Sequence, residues 1–215
     1  MIDAVLQTGP FLLKGAATTL WLSVSSIFLA TVIGVPFGVL ASVSKWPVRY
    51  LIMSYVYVIR GVPALITIFF IYYALPAWGF DVPNIVAGIV ALSVYGGAFF
   101  AEIVRGGIAS IPRGQSDAGL ALGMMKLNLL RHVILPQAVR YAVPPYILMA
   151  ARIVRTTSIV YIVGIFELTF MAREVIARDN TPLLTLGLAM LIYFSMSYPL
   201  SVLGSRLETQ HSYVH

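Results

Sequence analysis

Three arginines inside apolar stretches, Arg60, Arg152 and Arg155, are the residues of this sequence best suited to binding chemistry. A guanidinium is costly in lipid, so each must face protein or water. If a membrane span begins near Tyr141, a helical rise of about 1.5 Å per residue places Arg152 roughly 17 Å deep. Together with Thr156, one turn further on, Arg152 and Arg155 could line a wet cavity near the midplane, where transporters hold substrate. Alternatively, both could brace the fold or a subunit interface, and Arg60 could brace an inner gate or contact substrate.

No set of residues suits covalent or acid–base catalysis. Ser158 lacks a nearby His or Lys to activate it, and Glu102 lacks a second carboxylate at a workable spacing. The sequence has no Cys and three His. His132 is expected in a loop, and His211 and His215 in a polar tail whose neighbours do not suggest a metal site. We therefore expect neither an enzyme nor a metal centre, and no G-x-x-x-x-G-K-[ST] nucleotide loop is present.

The composition is that of a protein that crosses a membrane several times. Of 215 residues, 60% are hydrophobic and 10% are charged, against about 25% charged in soluble proteins. A bilayer core about 30 Å thick needs roughly 20 apolar residues per helix, which leaves room for about five spans and no independent soluble domain. We see no removable signal peptide. The prediction is one transmembrane domain, residues 1–215, with spans at about 16–43, 51–76, 82–104, 141–165 and 183–205.

Two features of these segments carry further predictions. Gly96 and Gly97 lie among small residues, which favour close packing of membrane helices. Residues 166–182 mix charged and apolar side chains and are predicted to form an outer loop or a short surface helix.

The basic residues predict which way the chain faces. If the stretch between the third and fourth spans is cytoplasmic, the inner side carries eight Lys and Arg and the outer side three, the bias expected for membrane proteins. The N-terminus is then outside and the C-terminus inside. The inner residues are Lys45, Arg49, Arg105, Arg113, Lys126, Arg131, Arg140 and Arg206, and the outer ones are Lys14, Arg173 and Arg178.

The longest run that cannot lie in lipid extends from Ala101 to Ala138. Pro112 and Pro136 bracket a separate short helical unit within it, because proline is tolerated at helix starts and not in helix interiors. Gly123 is expected to end a short helix or to allow close backbone approach. Helical spacing predicts one apolar face against the protein body and a second that needs a partner protein to cover it. The first face comprises Ala118, Ala121, Leu122, Met125 and Leu129, and the second Leu120, Met124 and Leu127.

The same run carries a spaced motif. Asp117-Ala118-Gly119 is followed by three residues, Gly123, nine residues and then Val133-Ile134-Leu135-Pro136. It resembles the cytoplasmic signature of permease subunits of bacterial ABC importers for polar amino acids, the histidine/glutamine/glutamate-type permeases. That signature reads Glu-Ala-Ala, three residues, Gly, nine residues, Ile-x-Leu-Pro, so Asp, Gly and Val are departures here. Further stretches similar to this family fall between about Gly15 and Arg206, at residues 60–63, 101–108, 111–115, 135–138 and 157–159.

The resemblance implies an all-α type I ABC importer permease with about five transmembrane helices and a cytoplasmic coupling loop, about residues 106–138. It implies a bacterial inner-membrane complex of two permeases, copies or paralogues, with two ABC ATPase subunits and a periplasmic or lipid-anchored solute-binding protein, and no nucleic acid. ATP and Mg²⁺ would bind the ATPase, with no cofactor in this chain, and alternating access would move the substrate. The implied coupling residues are Asp117, Ala118, Gly119, Leu120, Gly123, Met124 and Leu127. Glu102 and Arg105, three residues apart on a helix, are predicted to pair with each other or to steady the loop rather than to contact substrate. Together with Pro136 they are the predicted structural or gating residues.

The resemblance also bears on the substrate. In the family, the positions of Arg155 and Thr156 commonly hold Lys or Gln followed by Asp, so the acidic residue is missing here and Arg152 adds charge. A path formed by Arg152, Arg155, Thr156 and Arg60 favours a polar or acidic amino acid, glutamate or aspartate, held by charge-assisted bonds. The alternatives are another small polar solute, such as an opine or a sulfur amino acid, and a membrane channel subunit, against which the apolar coupling loop argues.

Overall fold

The computed structural model describes residues 2–212, and these residues form helices and turns with no strand. Nine α-helices follow one another in this range: α1 Ile2–Val43, α2 Trp46–Gly61, α3 Ala64–Ala77, α4 Asn84–Ala109, α5 Arg113–Ala121, α6 Lys126–Leu129, α7 Leu135–Thr156, α8 Leu168–Asp179 and α9 Pro182–Ser212. A π-helical turn, Leu130–Ile134, leads into α7, and a 3₁₀ segment, Thr157–Val163, follows it.

Prolines mark most of the helix starts. Pro47 lies in the first turn of α2, Pro63, Pro83 and Pro112 immediately precede α3, α4 and α5, and Pro182 begins α9. Proline suits these positions because the first amides of a helix have no partner within the helix, so its missing N–H costs nothing there. The predicted bracket around a short helical unit is confirmed, since α7 carries Pro136 in its own first turn.

Four helical segments within residues 2–212 are long and apolar enough to cross a membrane: Thr8–Val43, Asn84–Ala109, Lys126–Val163 and Pro182–Thr209. The predicted second span, 51–76, is not one helix but the pair α2 and α3, bent by 116°. Val62 is extended there, with φ −105° and ψ 142°, because the ring of Pro63 disfavours a helical conformation in the residue before it. The segments give four crossings, or five if the bent pair counts as one.

The first and fourth predicted spans also have different bounds from their helices. Helix α1 begins well before residue 16, since nothing in residues 2–15 interrupts the helix. Helix α7 begins before Tyr141, and its α-helical part ends at Thr156 rather than near 165.

Helices α1 and α4 pack closely against each other. A Cβ atom placed on Gly38 would lie 2.5 Å from the carbonyl oxygen of Ala101, and one on Gly34 would lie 2.5 Å from Cβ of Phe100. On the other side of the contact, a Cβ on Gly97 would lie 3.1 Å from Cγ2 of Ile33. The predicted close packing at Gly96 and Gly97 is thus confirmed, and α4 occupies the centre of the bundle.

Helix α8 is anchored by a buried carboxylate. Glu167 is fully buried and caps the helix, because its Oε1 accepts from the amide of Phe170 at 2.9 Å and its Oε2 accepts from the hydroxyl of Tyr193 on α9 at 2.5 Å. The amide of Leu168 donates to Oγ1 of Thr19 on α1 at 3.1 Å. A short helix was one of the two predicted forms, but it packs into the bundle instead of lying on the surface.

Candidate functional site

The predicted coupling loop folds as two short helices at one end of the bundle. Gly123 ends α5, with φ +76°, its amide donates to the carbonyl of Leu120, and the amide of Met124 donates to that of Gly119. A Cβ on Gly123 would meet nothing within 4 Å, so the left-handed backbone, not close packing, is the reason for glycine. The prediction that Gly123 ends a helix is confirmed.

A small apolar cluster fastens this loop to the spans. Its buried members are Ile111, Leu129, Ile134 and Ala138, and Met124 packs against them. Gly119 is also buried, and a Cβ there would lie 2.5 Å from Cδ1 of Leu129. The leucine therefore fills the space of the missing methyl group, which gives a physical reason for glycine where the family signature has alanine.

The first predicted face of the loop is largely wrong, whereas the second is right for Leu120 and Leu127, which are exposed. Ala118, Ala121, Leu122 and Met125 were expected against the body but are exposed, and of that face Leu129 alone is buried. Met124, assigned to the outer face, is half-buried. The pattern fails because the turn at Gly123 breaks the continuous helix that the spacing assumed.

The loop nevertheless presents apolar side chains to the outside. The exposed ones are Leu120, Leu122, Met125 and Leu127, of which Leu122 is 83% and Leu127 72% exposed. Asp117 and Ala118 are exposed on α5 beside them. The residues implied in coupling thus lie together on this surface, except that Gly119 and Met124 lie beneath it.

A second group of polar residues forms where α2, α4 and α7 meet. We call Arg60, Phe99, Glu102, Arg105 and Arg152 the arginine cluster. Arg105 donates to Glu102 twice, from Nε at 2.8 Å and from Nη2 at 2.7 Å, which confirms the predicted pair. Nη1 of Arg60 lies 3.5 Å from Oε1 of Glu102, so one carboxylate is shared by two guanidiniums.

The ring of Phe99 lies next to both Arg60 and Arg152. The guanidinium carbons of Arg60 and Arg152 each lie 5.5 Å from the centroid of its ring, a distance suited to cation–π attraction. The arginine cluster carries three positive charges and one negative charge, so a ligand that brings a carboxylate would be attracted to it.

The structure does not bring all four predicted path residues together. Arg155 points toward α9, where its Nη1 lies 3.5 Å from Oγ of Ser201. Thr156 is buried, and its hydroxyl donates to the carbonyl of Arg152 at 2.9 Å. The guanidiniums of Arg60 and Arg152 therefore share the ring of Phe99, whereas Arg155 faces α9 and the hydroxyl of Thr156 is bonded to backbone.

Two residues at these sites were missed from the sequence. Phe99 lies three residues before Glu102, so their shared face of α4 was a usable signal. Glu167 gave no such signal, because its burial depends on α1 and α9 packing around it. Burial raises the pKa of its carboxyl, against the lowering effect of the hydrogen bond from Tyr193.

His132, the one histidine whose side chain the structure describes, belongs to no assembled site. His132 lies in the π-helical turn, not a loop, and is exposed, with Nδ1 3.0 Å from the carbonyl of Asn128. His215 lies outside the described residues, as does the side chain of His211. Within the described part of the chain, no three His, Cys, Asp or Glu residues are grouped as metal ligands would be.

Comparison with known proteins identifies the family to which this chain belongs. Residues 34–210 match the family described as "Binding-protein-dependent transport system inner membrane component". This chain belongs to that family. The prediction of an amino acid ABC importer permease is confirmed, and members of the family are transport components of the inner membrane.

Individual relatives agree with the family. The glutamine transport system permease protein GlnP of Escherichia coli (strain K12) is 34% identical over 208 residues, covering 96% of this chain and 95% of that protein. The glutamate/aspartate import permease protein GltK of Escherichia coli O157:H7 is 31% identical over 214 residues, covering 96% of each chain.

A solved structure confirms the predicted fold. A structure described as "Crystal structure of an amino acid ABC transporter with histidines" matches with a TM-score of 0.89 at 28% identity, covering 98% of both chains. The fold is that of an ABC importer permease.

Proposed function

We propose that this chain is the permease subunit of an ATP-driven importer of a polar or acidic amino acid, with glutamate or aspartate favoured. The exposed apolar surface of the coupling loop carries the transport part of the proposal. The arginine cluster carries the substrate part.

The coupling loop is suited to transmit force from a partner. Its exposed leucines would gain about 1.5–3 kcal/mol each when fully buried, so a protein that covers them binds tightly. Beneath them, the cluster of Ile111, Leu129, Ile134 and Ala138 ties the loop to α4 and α7. Movement of a docked ATPase would therefore reach these two helices directly.

The remaining parts of the cycle follow from this docking. A separate ATPase pair binds ATP and Mg²⁺, and its closure draws two permease copies or paralogues together and opens the path outward. A solute-binding protein delivers the amino acid from outside. The excess of basic residues near the coupling loop supports a cytoplasmic loop, an outer N-terminus and an inner C-terminus.

The arginine cluster favours a substrate with a carboxylate. Arg152 takes part in no ion pair among the side chains of residues 8–209, and Glu102 balances only one of its two neighbouring guanidiniums. An added carboxylate would form charge-assisted hydrogen bonds with Arg152, worth about 1.5–3 kcal/mol. Every amino acid brings its α-carboxylate, but glutamate and aspartate add a second carboxylate on the side chain, which glutamine lacks.

Docking is tested with Leu122→Ala and Leu127→Ala. Each change should weaken binding of the cognate ATPase roughly 5- to 30-fold, which corresponds to about 1–2 kcal/mol of lost burial. Leu183→Ala is the matched control, because this leucine is 89% exposed at the start of α9, at the other end of the bundle. Equal ATPase affinity for all three variants would contradict docking at the coupling loop.

The substrate is tested with Arg152→Gln in reconstituted vesicles, by competition between labelled glutamate and glutamine. The variant should lower the preference for glutamate at least tenfold, from about 1.5 kcal/mol of lost interaction. Arg155→Gln is the control, because Arg155 faces α9. If a normally assembled Arg152→Gln complex keeps its preference for glutamate over glutamine, the proposal of an acidic substrate is refuted. The docking proposal is unaffected by that result.

A further inference from the structure

A pocket of about 250 Å³ opens beside the first turns of α2, away from Arg152 and Phe99. It lies at the end of the bundle that carries the coupling loop, because α4 contributes to it shortly before its last residue, Ala109. The lining residues are Trp46, Arg49, Tyr50, Met53, Tyr57 and Arg105.

The pocket has a positive wall. Arg49 is exposed, and neither it nor its neighbour Lys45 takes part in an ion pair with any side chain of residues 8–209. Arg105 uses Nε and Nη2 to bond Glu102, which leaves Nη1 outside that pair. Because Glu102 also serves Arg60, the charge of the two pocket arginines is not fully balanced.

The rest of the pocket is aromatic and apolar. The rings of Trp46 and Tyr50 stack with centroids 5.6 Å apart, and both side chains are exposed. Further along α2, the exposed side chains of Leu51, Tyr57 and Val58 continue an apolar surface. Exposed aromatic rings beside basic residues are typical of the level of lipid headgroups, with apolar side chains toward the acyl chains.

We propose that this pocket binds the phosphate of an anionic phospholipid in the cytoplasmic leaflet. Arg49 and Arg105 hold the phosphate from two sides, the Trp46–Tyr50 stack borders the headgroup, and one acyl chain lies along Leu51 and Val58. Basic pockets between transmembrane helices on this side of a membrane suit such headgroups. A free phosphate ion would use the two arginines but would gain nothing from the exposed apolar surface of α2.

The site connects lipid to the arginine cluster. The same Arg105 that lines the pocket bonds Glu102, which in turn attracts Arg60 at the bend between α2 and α3. A bound phosphate places negative charge beside Arg105, so Glu102 no longer has to balance the positive charges of Arg105 and Arg60 alone. Membranes rich in anionic lipid should therefore favour the arrangement of α2 and α4 seen in this structure.

The test is native mass spectrometry of the full chain in detergent with added phosphatidylglycerol or phosphatidylethanolamine. Phosphatidylglycerol should be retained by the unaltered chain, and Arg49→Gln should lower retention about tenfold, the effect of one lost charge-assisted contact. Arg49→Lys, which keeps a positive charge, should restore most of it and shows that the position tolerates change. Arg206→Gln is the control, because Arg206 is an exposed arginine of α9 on the predicted inner side.

Each other outcome overturns the proposal. Equal retention in Arg49→Gln and Arg206→Gln places the lipid elsewhere. Equal retention of phosphatidylglycerol and phosphatidylethanolamine shows that binding does not depend on the charge of the headgroup. Release of phosphatidylglycerol by millimolar inorganic phosphate would make the pocket a site for the free ion.

Discussion

Replacing Glu102 by Gln should destabilise the contact between α2 and α4. The carboxylate accepts two bonds from Arg105, at 2.8 and 2.7 Å, and lies 3.5 Å from Arg60. Gln keeps the shape but offers one oxygen acceptor and no charge. Two guanidiniums then face each other without the group that separates their charges.

The expected loss lies between those of exposed and buried ion pairs. Exposed pairs contribute about 0.2–1 kcal/mol, and breaking a buried pair costs about 3–5 kcal/mol. The side chains of Glu102, Arg105 and Arg60 are 23%, 27% and 37% exposed, so solvent screens them in part. We expect about 1–3 kcal/mol, which at roughly 2–4 °C per kcal/mol lowers the melting temperature by about 2–12 °C.

Thermal unfolding of the purified chain in one detergent measures this loss. Glu174→Gln is the control, because Glu174 is exposed on α8 and no side chain of residues 8–209 forms an ion pair with it. This variant should melt like the unaltered chain. Arg60→Gln should reduce the free energy of unfolding less in the Glu102→Gln background than in the unaltered chain. In that background Arg60 has already lost the carboxylate that balances its charge. If Glu102→Gln melts like the control, or if its effect and that of Arg60→Gln simply add, the shared-carboxylate reasoning is refuted.

Two further substitutions probe packing and capping by the same melting assay. Gly38→Ala should destabilise the chain by about 1–3 kcal/mol, because the added methyl would meet the carbonyl oxygen of Ala101. Gly9→Ala, with nothing within 4 Å, should be neutral or stabilising, and equal effects of the two would contradict the close helix contact. Glu167→Ala should lower the free energy of unfolding by about 1–3 kcal/mol, because it leaves the buried amide of Phe170 without its acceptor. Glu167→Gln should lower it less, because the amide oxygen of Gln can still accept from Phe170. An unaltered melting temperature for the alanine variant would argue against a capping role.

Much of the fold could be predicted because long uncharged runs indicate membrane spans, and charged residues and prolines mark where these spans end. The bracket of Pro112 and Pro136, the turn at Gly123 and the close packing at Gly97 all follow from local rules of backbone and side-chain size. The family followed from spacing, since the motif from Asp117 to Pro136 keeps its intervals even where residue types differ.

The parts that failed depend on contacts between distant segments. The apolar faces assigned across residues 118–129 assumed continuous helical spacing, but Gly123 interrupts it and Leu122 faces outward. Arg152 and Arg155 are three residues apart, yet one packs on Phe99 and the other faces α9. Periodicity within one helix does not tell which neighbour each side chain will meet.

The most direct test of energy coupling is a cross-link from the coupling loop to the ATPase. The chain has no Cys, so Leu127→Cys and Leu183→Cys each introduce its single thiol, to which a short photo-cross-linker is attached in the assembled transporter. The expected result is an ATPase cross-link from position 127 and none from position 183. An assembly that hydrolyses ATP in response to amino acid, yet shows no cross-link from position 127 or shows one from position 183, would contradict coupling through this loop.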